Sequence, residues 1–128
     1  MPGSTMKILI AEDFATMRRI IKTVLRQAGY QQVIEAEDGV IALRKLRSDD
    51  IGLVIADWNM PNMTGLDLLK AMRSDDALKD IPFLMVTAEA KKDNIIEAIQ
   101  SGASNYLVKP FTPDMLREKI DQILTDGC

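Results

Sequence analysis

The chain contains no histidine, and its one cysteine is the terminal residue, Cys128. The first absence excludes a Ser-His-Asp triad, a Cys-His pair, an HExxH zinc helix and a phosphohistidine carried by this chain. The second excludes an internal disulfide and a cysteine-rich metal site, and Cys128 itself reads as incidental. Aromatic residues make up only 5% of the chain, and no apolar run approaches the roughly 18 residues of a membrane helix. The N-terminus lacks a signal-peptide pattern, because its only apolar run stops at Glu12-Asp13. Cytoplasm is the default location, with no membrane insertion. Basic charge is not in excess either. With 16 Lys and Arg against 19 Asp and Glu, the net charge of −3 argues against nucleic acid as a partner. Covalent phosphate chemistry here would have to run through a carboxylate or a hydroxyl.

What is present is a regular alternation. Short apolar runs end at Ala11, Ile34, Ala56, Val86 and Val108, each followed by a helical pattern. Met17, Ile20, Ile21, Val24, Leu25 and Ala28 form one helical face, with Gly29 where a C-terminal cap belongs. Asp38-Gly39 opens a second helix with Val40, Leu43 and Leu46 on one face. Leu66, Leu69 and Met72 mark a third, and a fourth is expected over 92–100, stopping at Ser101-Gly102. Thr112-Pro113 starts the fifth as N-cap and first-turn proline, with Leu116, Ile120, Ile123 and Leu124 as its buried stripe. The expectation is a single domain over 1–128, folded from about 6 to 126, with a loose tail over 1–5. Five βα units predict an α/β, doubly wound, five-stranded parallel sheet of flavodoxin-like type, strand order 2-1-3-4-5.

Ligands in such sheets bind at the carboxyl ends of the strands, where the strand order reverses. That switch point lies between strands one and three, which end in Glu12-Asp13 and Asp57. Strand four ends in Thr87 and strand five in Lys109. Each residue alone has a plainer reading: Asp13 as a helix cap, Asp57 as a turn residue, Thr87 as a β-branched strand residue, Lys109 as surface solvation. Their convergence at one edge favours a site. Three close carboxylates repel by about 4 kcal/mol per pair at roughly 4 Å. All-oxygen ligands without sulfur or imidazole suit Mg²⁺. Asp57 then has an oxygen free for nucleophilic attack on phosphorus, with Lys109 and Thr87 facing the transferred oxygens.

Four stretches carry a resemblance over essentially the whole chain: Asp13 to Ile20 (DFATMRRI), Asp57 to Met63 (DWNMPNM), Val86 to Lys92 (VTAEAKK) and Val108 to Thr112 (VKPFT). The chain resembles response-regulator receiver domains, and within them the chemotaxis branch. The resemblance implies that Asp57 accepts a phosphoryl group from a partner histidine kinase. It implies Mg²⁺ held by Asp13, Asp57 and the Asn59 backbone carbonyl, with Glu12 acting through water. Thr87 and Lys109 would bind phosphoryl oxygens, and Tyr106 would swing inward when Thr87 moves. Read without the family, Tyr106 is a half-buried strand aromatic. A cis Lys109-Pro110 peptide is implied as well. The family commonly has Asp-Asp where this chain has Glu12-Asp13, which implies altered Mg²⁺ affinity.

The fourth helix carries Ile95, Ile96, Ala98 and Ile99, a wider apolar arc than a core stripe needs. Ile95 and Ile99 are expected partly exposed beside Tyr106 and Lys119, in a partner surface completed by Ala90 and Lys92. By resemblance the partner is the flagellar motor switch protein, with a dedicated phosphatase as a further partner and the chain itself a monomer. It is expected to be a switch, catalysing only its own phosphoryl transfer and dephosphorylation. A phosphate sink or an adaptor with another output would share the site. An acid-phosphatase-type hydrolase needs a second Asp two residues beyond the nucleophile, where this chain has Asn59. A flavodoxin-like cofactor binder needs a Ser/Thr-rich phosphate loop after strand one, where Glu12-Asp13 stands.

Overall fold

The computed structural model describes residues 5–126. The expected tail, apart from Thr5, and Cys128 lie outside the described residues. Five parallel strands alternate with five helices: β1 (Lys7–Ala11), α1 (Ala15–Gln27), β2 (Gln32–Ala36), α2 (Gly39–Ser48), β3 (Ile51–Ala56), α3 (Gly65–Arg73), β4 (Phe83–Thr87), α4 (Lys92–Gln100), β5 (Asn105–Val108) and α5 (Pro113–Asp126). The sheet order is β2-β1-β3-β4-β5, the doubly wound topology expected from the alternation.

Strand side chains alternate between two cores, as the two-residue period requires. Leu9, Ala11, Val54, Ala56, Phe83 and Met85 face α2, α3 and α4 through Ala42, Leu46, Leu69, Met72 and Ala98. Ile8, Ile10, Leu53, Ile55, Leu84 and Val86 face α1 and α5 through Ile21, Val24, Leu25, Leu116, Ile120 and Ile123. Full burial on both faces explains the unbroken apolar runs. It also explains why the first polar residue after the runs of β1, β3, β4 and β5 marks the end of the strand, whereas the less buried edge strand β2 continues past Glu35 to Ala36.

Two helical stripes are narrower than the periodicity suggests. Ile20 is 41% exposed, because Met17, Ile21, Val24 and Leu25 already fill the surface facing the sheet. Val40 is 40% exposed in the first turn of α2, whose inner face is Gly39, Ala42 and Leu46. A β-carbon on Gly39 would stand 2.5 Å from the Met63 carbonyl, so the helix enters too close to the loop for a side chain there. Gly29 ends α1 with φ of +100°, as its C-cap position predicts. The Thr112 hydroxyl accepts from the Met115 N–H at 3.1 Å, capping α5 as expected.

Candidate functional site

The parallel register brings the ends of β1, β3, β4 and β5 to one edge. Beyond the strands, the Asp57 N–H donates to the Ala11 carbonyl at 3.0 Å and the Lys109 N–H to the Thr87 carbonyl at 2.9 Å. These bonds extend the ladder by one residue, so the polar side chains leave the sheet from fixed backbone. Glu12, Asp13 and Asp57 each place an oxygen within 4.8 Å of the others. Lys109 reaches across from β5. Its Nζ donates to Glu12 Oε1 at 2.6 Å and to Asp57 Oδ2 at 2.8 Å.

Burial makes this charge cluster consequential. Glu12 is 2% exposed, Asp57 9% and Thr87 fully buried, while Asp13 is open to solvent. Burial pushes the Glu12 carboxyl above its ordinary pKa, the Asp57 charge adds to this, and the hydrogen bonds from Lys109 and the Phe14 N–H pull it back only partly. Burial alone would lower the Lys109 ammonium. The hydrogen bonds and charges of Asp57 and Glu12 outweigh that, and its pKa is raised. With the carboxylates ionised, three negative charges face one positive charge. The remaining two are what a divalent cation cancels.

The donor set fits Mg²⁺. It is all oxygen, it is compact, and one member is free: among the described residues the Asp13 carboxylate takes no hydrogen bond or ion pair. The reading of Asp13 as a helix cap fails, since Phe14 is the N-cap residue of α1 and no side chain caps that end. Asn59 lies exposed in the loop after β3, its N–H donating to Asp57 Oδ1 at 3.2 Å. Thr87 Oγ1 accepts from the Glu89 N–H at 3.3 Å, within the turn that follows β4.

Tyr106 is more deeply placed than a half-buried strand aromatic. It is 8% exposed, and its hydroxyl donates to the Glu89 carbonyl at 2.6 Å. A buried phenol needs a partner for its O–H, and this carbonyl supplies it. Burial, then the Glu89 and Asp57 charges, push its pKa up to about 12. On α4, Ile99 is 46% exposed while Ile95 is half-buried against the core, and Ile96, 40% exposed, widens the apolar strip. Ala90 and Lys92 are exposed and Lys119 is half-buried. The Lys109-Pro110 peptide is cis.

Several residues build the site through contacts that the one-dimensional pattern does not show. Gly65 opens α3 with its N–H on the Trp58 carbonyl at 2.8 Å, and a β-carbon there would stand 2.1 Å from the Asp57 carbonyl. The close return of the chain onto Asp57 therefore requires glycine. Asp38 caps α2 through the Ile41 N–H at 2.8 Å and accepts from Asn62 Nδ2 at 2.7 Å. This ties the loop after β3 to the loop after β2. Asn62 itself adopts φ of 69°, a left-handed conformation that asparagine tolerates. Thr64 caps α3 through the Asp67 N–H at 3.1 Å. Phe14, 62% exposed, stands beside Asp13.

Comparison with known proteins agrees with this geometry. Residues 8–121 match the model of the response regulator receiver domain. The chain is 58% identical over 118 residues to the chemotaxis protein CheY of Pseudomonas aeruginosa, covering 92% of this chain and 95% of that protein. It is 55% identical over 121 residues to CheY-3 of Vibrio cholerae, covering 94% and 93%. Among solved structures, CheY4 of Vibrio cholerae superposes with a TM-score of 0.86 at 36% identity, over 92% of this chain and 98% of that one. The receiver domain of a Francisella response regulator gives 0.88 at 29% identity, over 97% and 100%. Strand order, the carboxylates at the switch point and a match spanning nearly the whole sheet converge: the chain belongs to the response regulator receiver family.

Proposed function

We propose that this chain is a single-domain, cytoplasmic and monomeric two-component switch, phosphorylated on Asp57 by a partner histidine kinase and acting on the flagellar motor switch protein. The observation that carries the reading is the Lys109 ammonium set between Glu12 and Asp57, at 2.6 and 2.8 Å, with Asp13 left free. An Asp57 oxygen attacks the phosphorus of the donor's phosphoimidazole. A P–O bond forms as the P–N bond breaks, and the electron pair leaves with the imidazole nitrogen, which takes up a proton. Asp13, Asp57 and the Asn59 carbonyl would hold Mg²⁺, with Glu12 acting through water. When bound, Mg²⁺ offsets charge on the transferred oxygens. Lys109 is placed to follow the new negative charge, since its ammonium already touches the acceptor.

The output runs through Thr87 and Tyr106. The Glu89 N–H is held by Thr87 and the Glu89 carbonyl by Tyr106, so one peptide segment connects the site to β5. A Thr87 hydroxyl drawn to the phosphoryl group releases that N–H and resets the segment ahead of α4. Shifting a two-state domain from 1:99 to 99:1 takes about 5.5 kcal/mol. Two or three charge-assisted hydrogen bonds at roughly 1.5–3 kcal/mol each supply it. The face that responds is α4-β5-α5, with Ala90, Lys92, Ile95, Ile99, Tyr106 and Lys119. Exposed isoleucines rimmed by lysines suit an amphipathic helical peptide from an acidic partner. The names of the two relatives compared above, both chemotaxis proteins, support the motor assignment.

The test is binding of the motor-switch N-terminal peptide with and without Mg²⁺ and beryllofluoride, followed through Trp58, the only tryptophan. Tight binding confined to the activated form is the expected result. A Trp58 response to beryllofluoride without peptide binding would refute the motor output and leave a phosphate sink or adaptor, and no response would refute the acceptor reading.

A further inference from the structure

Arg18 lies in the first turn of α1, where Arg19 and Arg26 are exposed, yet its own side chain is only 14% exposed. Its Nη1 donates to the Glu12 backbone carbonyl at 2.8 Å, and its Nε donates to Glu35 Oε1 at 3.2 Å. Glu35, near the end of β2, is itself held in place, its other oxygen accepting from Lys22 Nζ at 3.1 Å. One residue on, the Ala36 carbonyl accepts the Glu12 N–H at 3.0 Å. The backbone of Glu12 is thus gripped on both sides, its N–H by β2 directly and its carbonyl by β2 through Arg18.

The position of this grip matters. β1 ends at Ala11, so the Glu12 carbonyl lies beyond the regular sheet ladder. That carbonyl belongs to the peptide plane joining Glu12 to Asp13, and its direction fixes how the Asp13 side chain leaves the strand. Asp13 has no side-chain partner of its own among the described residues. Its placement toward Asp57 therefore depends on the backbone that carries it. A guanidinium can span a carboxylate and a carbonyl at once because its donors form a rigid fork, whereas an ammonium is a single point. A cation seated on the backbone of Glu12 also opposes a second cation beside it by simple Coulomb repulsion.

We infer that Arg18, anchored by Glu35, is a positioning residue for the divalent cation: it locks the Glu12–Asp13 peptide so that the free Asp13 carboxylate meets Asp57. This rests on the reading of the carboxylates as a Mg²⁺ site. Charge and position predict opposite signs, which makes the test sharp. If Arg18 acted only as a nearby positive charge, Arg18→Met would bind Mg²⁺ more tightly. As a positioning residue, its loss weakens Mg²⁺ by about tenfold, the scale of outer-shell ligand support.

The experiment is Mg²⁺ titration followed by Trp58 fluorescence, with thermal unfolding recorded with and without Mg²⁺, for wild type, Arg18→Met and Arg18→Lys. Arg18→Lys keeps the charge and loses the fork, so it also reads weaker than wild type, and it serves if Arg18→Met does not fold. Weaker binding in folded variants, with a smaller Mg²⁺-induced rise in Tm, supports the inference. Equal or tighter binding in either variant overturns it while leaving the metal site standing. Failure of the wild type to bind Mg²⁺ would overturn the site reading itself.

Discussion

Replacing Lys109 with methionine keeps most of the side chain's length and removes, among the described residues, the only ammonium in contact with Glu12 and Asp57. Those two carboxylates are 3% and 10% exposed at the side chain, so little water can take the place of the ammonium. Their oxygens lie within 4.8 Å of each other, where two unit charges at an effective dielectric of about 20 repel by about 3.5 kcal/mol or more. Removing one partner of a buried ion pair typically costs about 3–5 kcal/mol, which is the loss expected here. That is a large part of the roughly 5–15 kcal/mol that holds a domain together. The loss depends on pH in a defined sense. Glu12 already has a raised pKa, and without the Lys109 hydrogen bond it rises further. The folded state then binds a proton that the unfolded state releases, so the penalty is full at high pH and shrinks as pH falls through the raised value. Mg²⁺ works in the same direction, because the cation no longer competes with an ammonium. Urea unfolding of Lys109→Met in a pH series from 8 down to the ordinary carboxylate range, with and without Mg²⁺, measures all three effects. A loss below about 1 kcal/mol at pH 8 without Mg²⁺, or a loss that stays constant across the whole series, would refute this account of the site.

Gly65→Ala places a β-carbon 2.1 Å from the Asp57 carbonyl, so the loop after β3 must move. We expect a loss of about 3 kcal/mol or more with a blunted Trp58 response to Mg²⁺, read from urea midpoints and fluorescence. Asp38→Ala removes the α2 cap and the Asn62 link together and should cost about 2–4 kcal/mol, while Asn62→Gly keeps the left-handed backbone and should cost about half of that or less. Denaturation of both variants checks the ordering. The Tyr106 phenol, raised from 10.0 to about 12, stays protonated in the fold where the unfolded chain ionises. Stability should therefore be full below pH 10 and fall as pH climbs toward 12, and Tyr106→Phe should flatten that fall in a pH series of denaturation midpoints.

Much of this molecule is legible in one dimension, and the reason is burial. Strands covered on both faces admit only apolar residues, so Glu12, Asp57 and Lys109 stand out as the first charges after each run. The topology then places them together without further information. Helix faces are less legible, because several positions near the edge of a stripe compete for limited contact with the sheet, as Ile20 and Val40 show. The supports of the site are least legible of all. Arg18 finds a backbone carbonyl, Asp38 finds an asparagine in another loop, and Gly65 is needed only because the Asp57 carbonyl returns so near. Such contacts depend on where two loops pass each other, and residue type alone does not encode that. Tyr106 falls between these cases: its strand is evident, but its depth depends on the Glu89 carbonyl that receives its hydroxyl.

The reach of Lys109 has a further consequence. Its two ionic partners lie 97 and 52 positions back along the chain. β5, which delivers it, is the last strand and sits at the far edge of the sheet from β2. Contacts of such separation close late, because the loop entropy they cost must be offset by structure already formed. During synthesis, Glu12, Asp13 and Asp57 emerge long before the ammonium that contacts two of them. A nascent chain that has not reached β5 therefore carries these carboxylates without the Lys109 counter-charge. The carboxylate cluster gains its counter-charge only when β5 joins the sheet, so the most distant edge strand neutralises the switch point between β1 and β3.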